Sequence, residues 1–110
     1  MGFKSGKKHR QTKATDINPK VKAAVWERDE HMCIICGSPY AFPEAHYVPR
    51  SAGGLGVEQN IVTLCRKCHD LFHTGSLWVK SAVRTYLCAH YDGWDEKDLY
   101  YHKYNSKEDA

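Results

Sequence analysis

Four of the five cysteines stand in two pairs, Cys33-x2-Cys36 and Cys65-x2-Cys68, with 28 residues between them. Two residues between thiolates let one tight knuckle aim both sulfurs at a single ion, and a second knuckle completes a tetrahedron. Whatever lies between the pairs must therefore leave one point in space and come back to it. Gly37 follows the first pair and can adopt a turn conformation closed to most side chains. At the second pair, a helix N-terminus helps to hold the thiolates charged. Four sulfurs leave no open position on the ion, so a structural zinc is expected; two disulfides or buried free thiols are the rival readings. A chain of 110 residues gains from such a link, because a short chain buries a smaller share of its surface than a long one. Cys88 lacks a partner at metal spacing and reads as a packed apolar thiol.

Charge is unevenly spread. Lys4, Lys7, Lys8, Arg10 and Lys13 face no acid within the first 13 residues, whereas the rest of the chain sets eleven Lys and Arg against thirteen Asp and Glu. A basic arm on a nearly neutral body suits a polyanion, whose phosphates release counterions on contact; a solubilising tail is the bland alternative. No apolar run approaches the ~18 residues of a membrane span, so no membrane partner is expected. The basic N-terminus has no apolar stretch behind it and does not read as a secretory signal. These features suggest the cytoplasm, where thiols stay reduced.

Punctuation divides the chain into three parts. Residues 1–16 read as a disordered basic arm, 17–75 as an α+β domain stapled by the four cysteines, and 76–110 as a C-terminal helical extension packed on that domain. Asn18 and Pro19 are a start signal for a helix over 19–30, with Val21, Ala24, Val25 and Arg28 on one face. Ala45–Val48 and Ile61–Leu64 are β-prone stretches flanking the loop Gly53-Gly54-Leu55-Gly56, and predict a hairpin. Cys65–His73 fits a short helix stopped by Thr74-Gly75. A longer helix from Ser76 to about Tyr91 places Val79, Ala82, Val83, Tyr86 and Leu87 on one stripe, and Asp95 is a cap for a last short turn.

The histidines are placed unevenly around this scaffold. His46 ends the first predicted strand, and His69 and His73 lie at i and i+4 on the short helix, one turn apart on one face. That spacing can chelate a divalent ion, although alone it is more often coincidence. The stretch AHYVPRSAGGLGVEQNIVTLCRKCHDLFH resembles the HNH nuclease motif: a histidine followed by x2-Pro, a Gly-Gly loop, an asparagine, then Cys-x2-Cys-His. His46, Asn60 and His69 fall on its signature positions, with 13 and then 8 residues between them, and RDEHMCIICG is similar to the family's entry into the first knuckle. The pattern looks most like the small HNH endonucleases of tailed bacteriophages.

The resemblance implies a ββα-metal (His-Me finger) module and a role for each residue. His46 is the general base, Asn60 holds the loop, and His69 binds a catalytic divalent ion with His73 as second ligand. Arg50, Arg66 and Lys67 are candidate contacts to the phosphates of double-stranded DNA, gripped at the minor groove. Phage terminase or packaging proteins, in a bacterial host cell, are partners that only the resemblance suggests. One position departs from the pattern: Ala45 stands where the family usually carries a ligating Asp or His. Glu44 should point to a different face by strand alternation. Two imidazoles then favour Mn2+, Ni2+, Co2+ or Zn2+ beside Mg2+. A zinc-stabilised DNA-binding module with an impaired catalytic site is the alternative that Ala45 favours.

Overall fold

The computed structural model describes residues 10–102. Most of the basic arm, residues 1–9, and the tail from 103 onward lie outside the described residues. The rest of the arm is not irregular. Arg10–Thr15 forms a helix, α1, and Thr15 is buried against the domain. The correction has a steric cause in the glycine loop. Gly56 donates its amide to the Ala14 carbonyl at 3.0 Å, and a Cβ at Gly56 would meet the Asp16 oxygen at 2.0 Å. Only glycine lets the arm lie this close.

Helix α2 (Pro19–Arg28) begins as its sequence predicts, with Asn18 Oδ1 accepting from Val21 N at 2.9 Å. Strands β1 (Ala41–His46) and β2 (Ile61–Cys65) pair antiparallel, Ala41 opposite Cys65 and His46 opposite Ile61. β1 starts four residues earlier than expected because Pro43, a turn signal on paper, falls where the register shifts between Phe42 and Ala45. A bulge needs no amide there and so tolerates proline. Cys65 caps helix α3 (Arg66–His73), and Gly75, with φ of 86°, follows its end. Helix α4 runs from Leu77 to His90, and a 3-10 turn capped by Asp95 covers Glu96–Leu99.

The hairpin and α3 form the expected ββα unit within an α+β fold. One core cluster joins Ala41, Ala45, Val62 and Leu64 of the hairpin to Phe72 of α3, Val79, Val83 and Leu87 of α4, and Leu99. Cys88 is exposed, contrary to expectation. It follows Leu87 by one residue, about 100° around the helix from the buried stripe. The C-terminal segment also returns to the glycine loop, where Leu55 N donates to Leu99 O and Tyr101 N to Gly53 O.

A buried ion pair ties α2 to this assembly. Asp29 accepts from Arg28 Nε at 2.7 Å, Tyr86 Oη at 2.6 Å and Thr63 N at 2.8 Å. Arg28 spends its other donors on the carbonyls of Glu58 and Ile61 and on the Tyr91 hydroxyl. Every lone pair of a charge held out of water then faces a donor, the condition under which such a pair is tolerated.

Candidate active site and metal centre

The four thiols converge. The sulfurs of Cys33, Cys36, Cys65 and Cys68 all lie within 4.8 Å of one another, and those of Cys36 and Cys65 are 3.5 Å apart. Tetrahedral zinc with ~2.3 Å bonds needs sulfurs about 3.8 Å apart. The first knuckle closes through Gly37, with φ of 78°, which donates to the Cys33 carbonyl, and Ile34 N donates to Thr63 O of β2. The second knuckle is the start of α3, where Cys68 N donates to the Cys65 sulfur. Burial opposes the Cys33 thiolate, but the main-chain amides of Cys36, Cys65 and Ile35 bring the thiol down to about 7. Burial, followed by the neighbouring Cys65 and Cys33 thiols, pushes Cys68 up. A divalent cation reverses that balance, because a coordinating thiol is deprotonated outright. The donor set fits such an ion, and the cluster is placed to hold a structural metal.

The second group of residues lies at the end of β1 and along α3. His46 is half-buried and its Nε2 sits 2.8 Å from the Thr15 carbonyl. A carbonyl only accepts, so the Thr15 contact requires the proton on Nε2. Burial lowers the proton affinity of His46 below the ordinary histidine value, opposed by the main-chain carbonyls of Thr15 and Glu44 and reinforced by the Arg50 charge and that of His69. His46 and His69 are near enough to sense each other's charge. The rings of His69 and His73 are 4.5 Å apart between centroids. Burial, then the His73 charge, lowers the proton affinity of His69, which keeps the ring neutral as a metal ligand must be.

Asn60 is fully buried. Its side chain accepts from Val48 N at 2.8 Å and donates to Val48 O at 3.1 Å and Leu55 O at 2.8 Å, while its carbonyl accepts from Tyr47 N. It thus fixes the backbone directly after His46 and the loop that α1 rests upon. Gly54 belongs to the same lock, since a Cβ there would lie 1.7 Å from the Val48 carbonyl oxygen. Of the basic candidates, Arg50 is paired with Asp16, and Arg66 and Lys67 are exposed in the first turn of α3. His31, His90 and His102 are exposed, as their lack of context predicts, and His9 lies outside the described residues.

The profile of the HNH endonuclease family matches residues 33–75, the span that holds both knuckles, the hairpin and α3. The chain belongs to the HNH endonuclease family. It is also similar to Anaredoxin of Nostoc sp. (strain PCC 7120), with 32% identity over 59 residues that cover 53% of this chain and 78% of that protein. Thr15 lies outside the HNH match yet supplies the carbonyl that orients the histidine of the motif. Sequence reasoning missed it because a main-chain acceptor has no residue signature. The partners of Arg28 and Asp29 were equally hidden, scattered over positions 58–91.

Proposed function

We propose that this HNH protein is a divalent-metal-dependent DNA endonuclease of low sequence specificity, stabilised by a structural zinc at the four cysteines. The observation that carries the reading is His46, held by the Thr15 carbonyl and close enough to His69 to feel its charge, with the His69 and His73 rings 4.5 Å apart. His46 Nδ1 takes a proton from water as the water oxygen bonds to phosphorus. The bond from phosphorus to the 3′-oxygen breaks, and solvent returns a proton to that oxygen, leaving 5′-phosphate and 3′-hydroxyl ends. A positioned base of this kind contributes about 10²–10⁴ in rate. When bound, an ion at His69 and His73 supplies positive charge for the developing oxyanions. Asn60 holds the strand end so that the base does not drift.

The basic residues give the substrate class. Arg66 and Lys67 flank His69 on α3, Arg50 follows the base by four residues, and the arm adds Lys4, Lys7 and Lys8. We assign these to the phosphates of double-stranded DNA at the minor groove. Phosphate contacts carry no sequence information, so low sequence specificity is expected. No helix among the described residues is long and apolar enough to cross a membrane. A cytoplasmic setting in a phage-infected bacterium, with packaging proteins as neighbours, follows from the resemblance to tailed-phage enzymes. With imidazole donors, Mn2+ is expected to serve at least as well as Mg2+.

A second reading, a DNA-binding module with an impaired site, is favoured by Ala45, whose methyl is buried and cannot ligate. Incubation of supercoiled plasmid with Mn2+ separates the two. Wild type is expected to nick it, and His46→Ala to lose nicking with zinc content unchanged. Retarded plasmid with no cleavage by wild type in any divalent metal would overturn the nuclease reading.

A further inference from the structure

We infer that Asp16 is a positioning residue for the substrate: its carboxylate holds the Arg50 guanidinium beside His46, where the remaining N–H donors of Arg50 meet the phosphate to be cut. The inference deepens the nuclease reading and rests on its assignment of Arg50 to phosphate. Asp16 lies outside the span that the family profile matches, whereas Arg50 and His46 lie within it.

Three consecutive residues fasten the N-terminal segment to the end of β1 and the loop beyond it. The Ala14 carbonyl accepts from Gly56 N at 3.0 Å, the Thr15 carbonyl lies 2.8 Å from His46 Nε2, and Asp16 Oδ1 accepts from Arg50 Nη2 at 2.5 Å. Neighbouring Cα atoms are only about 3.8 Å apart, so Thr15 and Asp16 bring the histidine ring and the guanidinium to one patch. Asp16 is itself fixed. Its amide donates to Thr12 O at 2.9 Å, and its carbonyl lies against the bare backbone of Gly56. The Arg50 main chain is fixed too, its carbonyl accepting from Gly53 N while the Gly53 carbonyl accepts from Tyr101 N. What the backbone leaves open is the direction of a long side chain, and Asp16 sets it. A guanidinium is a rigid planar fork, so pinning one Nη limits where the other donors point.

Neither stability nor steering accounts for the carboxylate. The Arg50 and Asp16 side chains are 52% and 27% exposed, and an ion pair this wet contributes little to folding. By charge alone, an acid beside a phosphate contact repels a polyanion. Alignment is the role that remains, because a cation held in register with the base places phosphorus where the activated water can reach it.

The test is binding of a labelled duplex to the zinc-loaded full chain, followed by fluorescence anisotropy over a salt series, with steady-state cleavage in Mn2+ measured alongside. Charge alone and alignment predict opposite signs for Asp16→Ala. Alignment predicts affinity weakened about tenfold, with a salt slope shallower by about one phosphate contact. It also predicts that KM rises more than kcat falls, and that Asp16→Asn, which keeps an acceptor oxygen, recovers most of the affinity. In the Arg50→Ala background, Asp16→Ala is expected to weaken binding no further. Unchanged or tighter binding in Asp16→Ala alone would overturn the inference. Weakening that persists in the Arg50→Ala background would overturn it as well, since the loss would then run through α1 and not through Arg50. A wild type that binds the duplex without cutting it would sink the nuclease reading and leave the binding measurements to decide Asp16. No duplex binding by wild type would overturn both.

Discussion

Asn60 carries more structural consequence than its size suggests. Its side chain satisfies the amide and the carbonyl of Val48 and the carbonyl of Leu55, all from a fully buried position. Truncation to alanine leaves those groups without partners, and each buried orphan costs about 1–3 kcal/mol. Asn60→Ala is therefore expected to lose at least about 3 kcal/mol by urea unfolding, and to slow cleavage beyond that loss because His46 sits at the end of the freed segment. Thr63 lies on β2 with the opposite problem: its hydroxyl is buried and finds no partner among the described residues. Thr63→Val removes that oxygen and keeps the shape and the main-chain bond to Asp29. A gain of about 1 kcal/mol is expected from the same unfolding measurement; a loss would mean that the hydroxyl is satisfied in solution.

At the scale of elements, the two attachments that matter join the ββα unit to helices outside it. α1 brings the Thr15 carbonyl to His46, and its approach depends on the bare backbone of Gly56. Gly56→Ala is predicted to displace α1, exposing residues 10–16 to limited proteolysis and lowering the cleavage rate with zinc content unchanged. α2 brings Arg28 and Asp29. Breaking a buried pair by removing one charge typically costs about 3–5 kcal/mol. Asp29→Asn is accordingly expected to lower Tm by more than about 10 °C in a thermal scan. Much of the element pattern was legible: the Asn18 cap, the β2 run, the CxxCH helix and the α4 stripe each follow from local spacing. α1 was not, because its sequence RQTKAT has no apolar face and orders only against the glycine loop. The start of β1 was masked by Pro43, whose turn signal the bulge absorbs.

At the scale of the whole molecule, the four-cysteine cluster anchors the ββα unit. It pins the segment before β1 to the junction of β2 and α3, and that junction fixes the direction in which His69 and His73 emerge. Structural zinc contributes apparent binding free energies of about 10–16 kcal/mol, comparable with the entire stability of a small domain. Chelation of the zinc, or Cys33→Ser, is therefore expected to unfold the chain cooperatively, and a folded metal-free form by circular dichroism would contradict this. The candidate site was legible wherever a ligand or a base demands a particular residue type at a particular spacing, as for the cysteines and His46, Asn60 and His69. It was illegible wherever main-chain atoms do the positioning, as with Thr15. Single-turnover cleavage of a short labelled duplex by His46→Gly, with imidazole added to the buffer, tests the proton-acceptor role of His46 most directly. The account predicts a rate reduced about 10²–10⁴-fold and partly restored by imidazole in proportion to its unprotonated fraction. Cutting by His46→Gly at the wild-type rate, with or without imidazole, would contradict it.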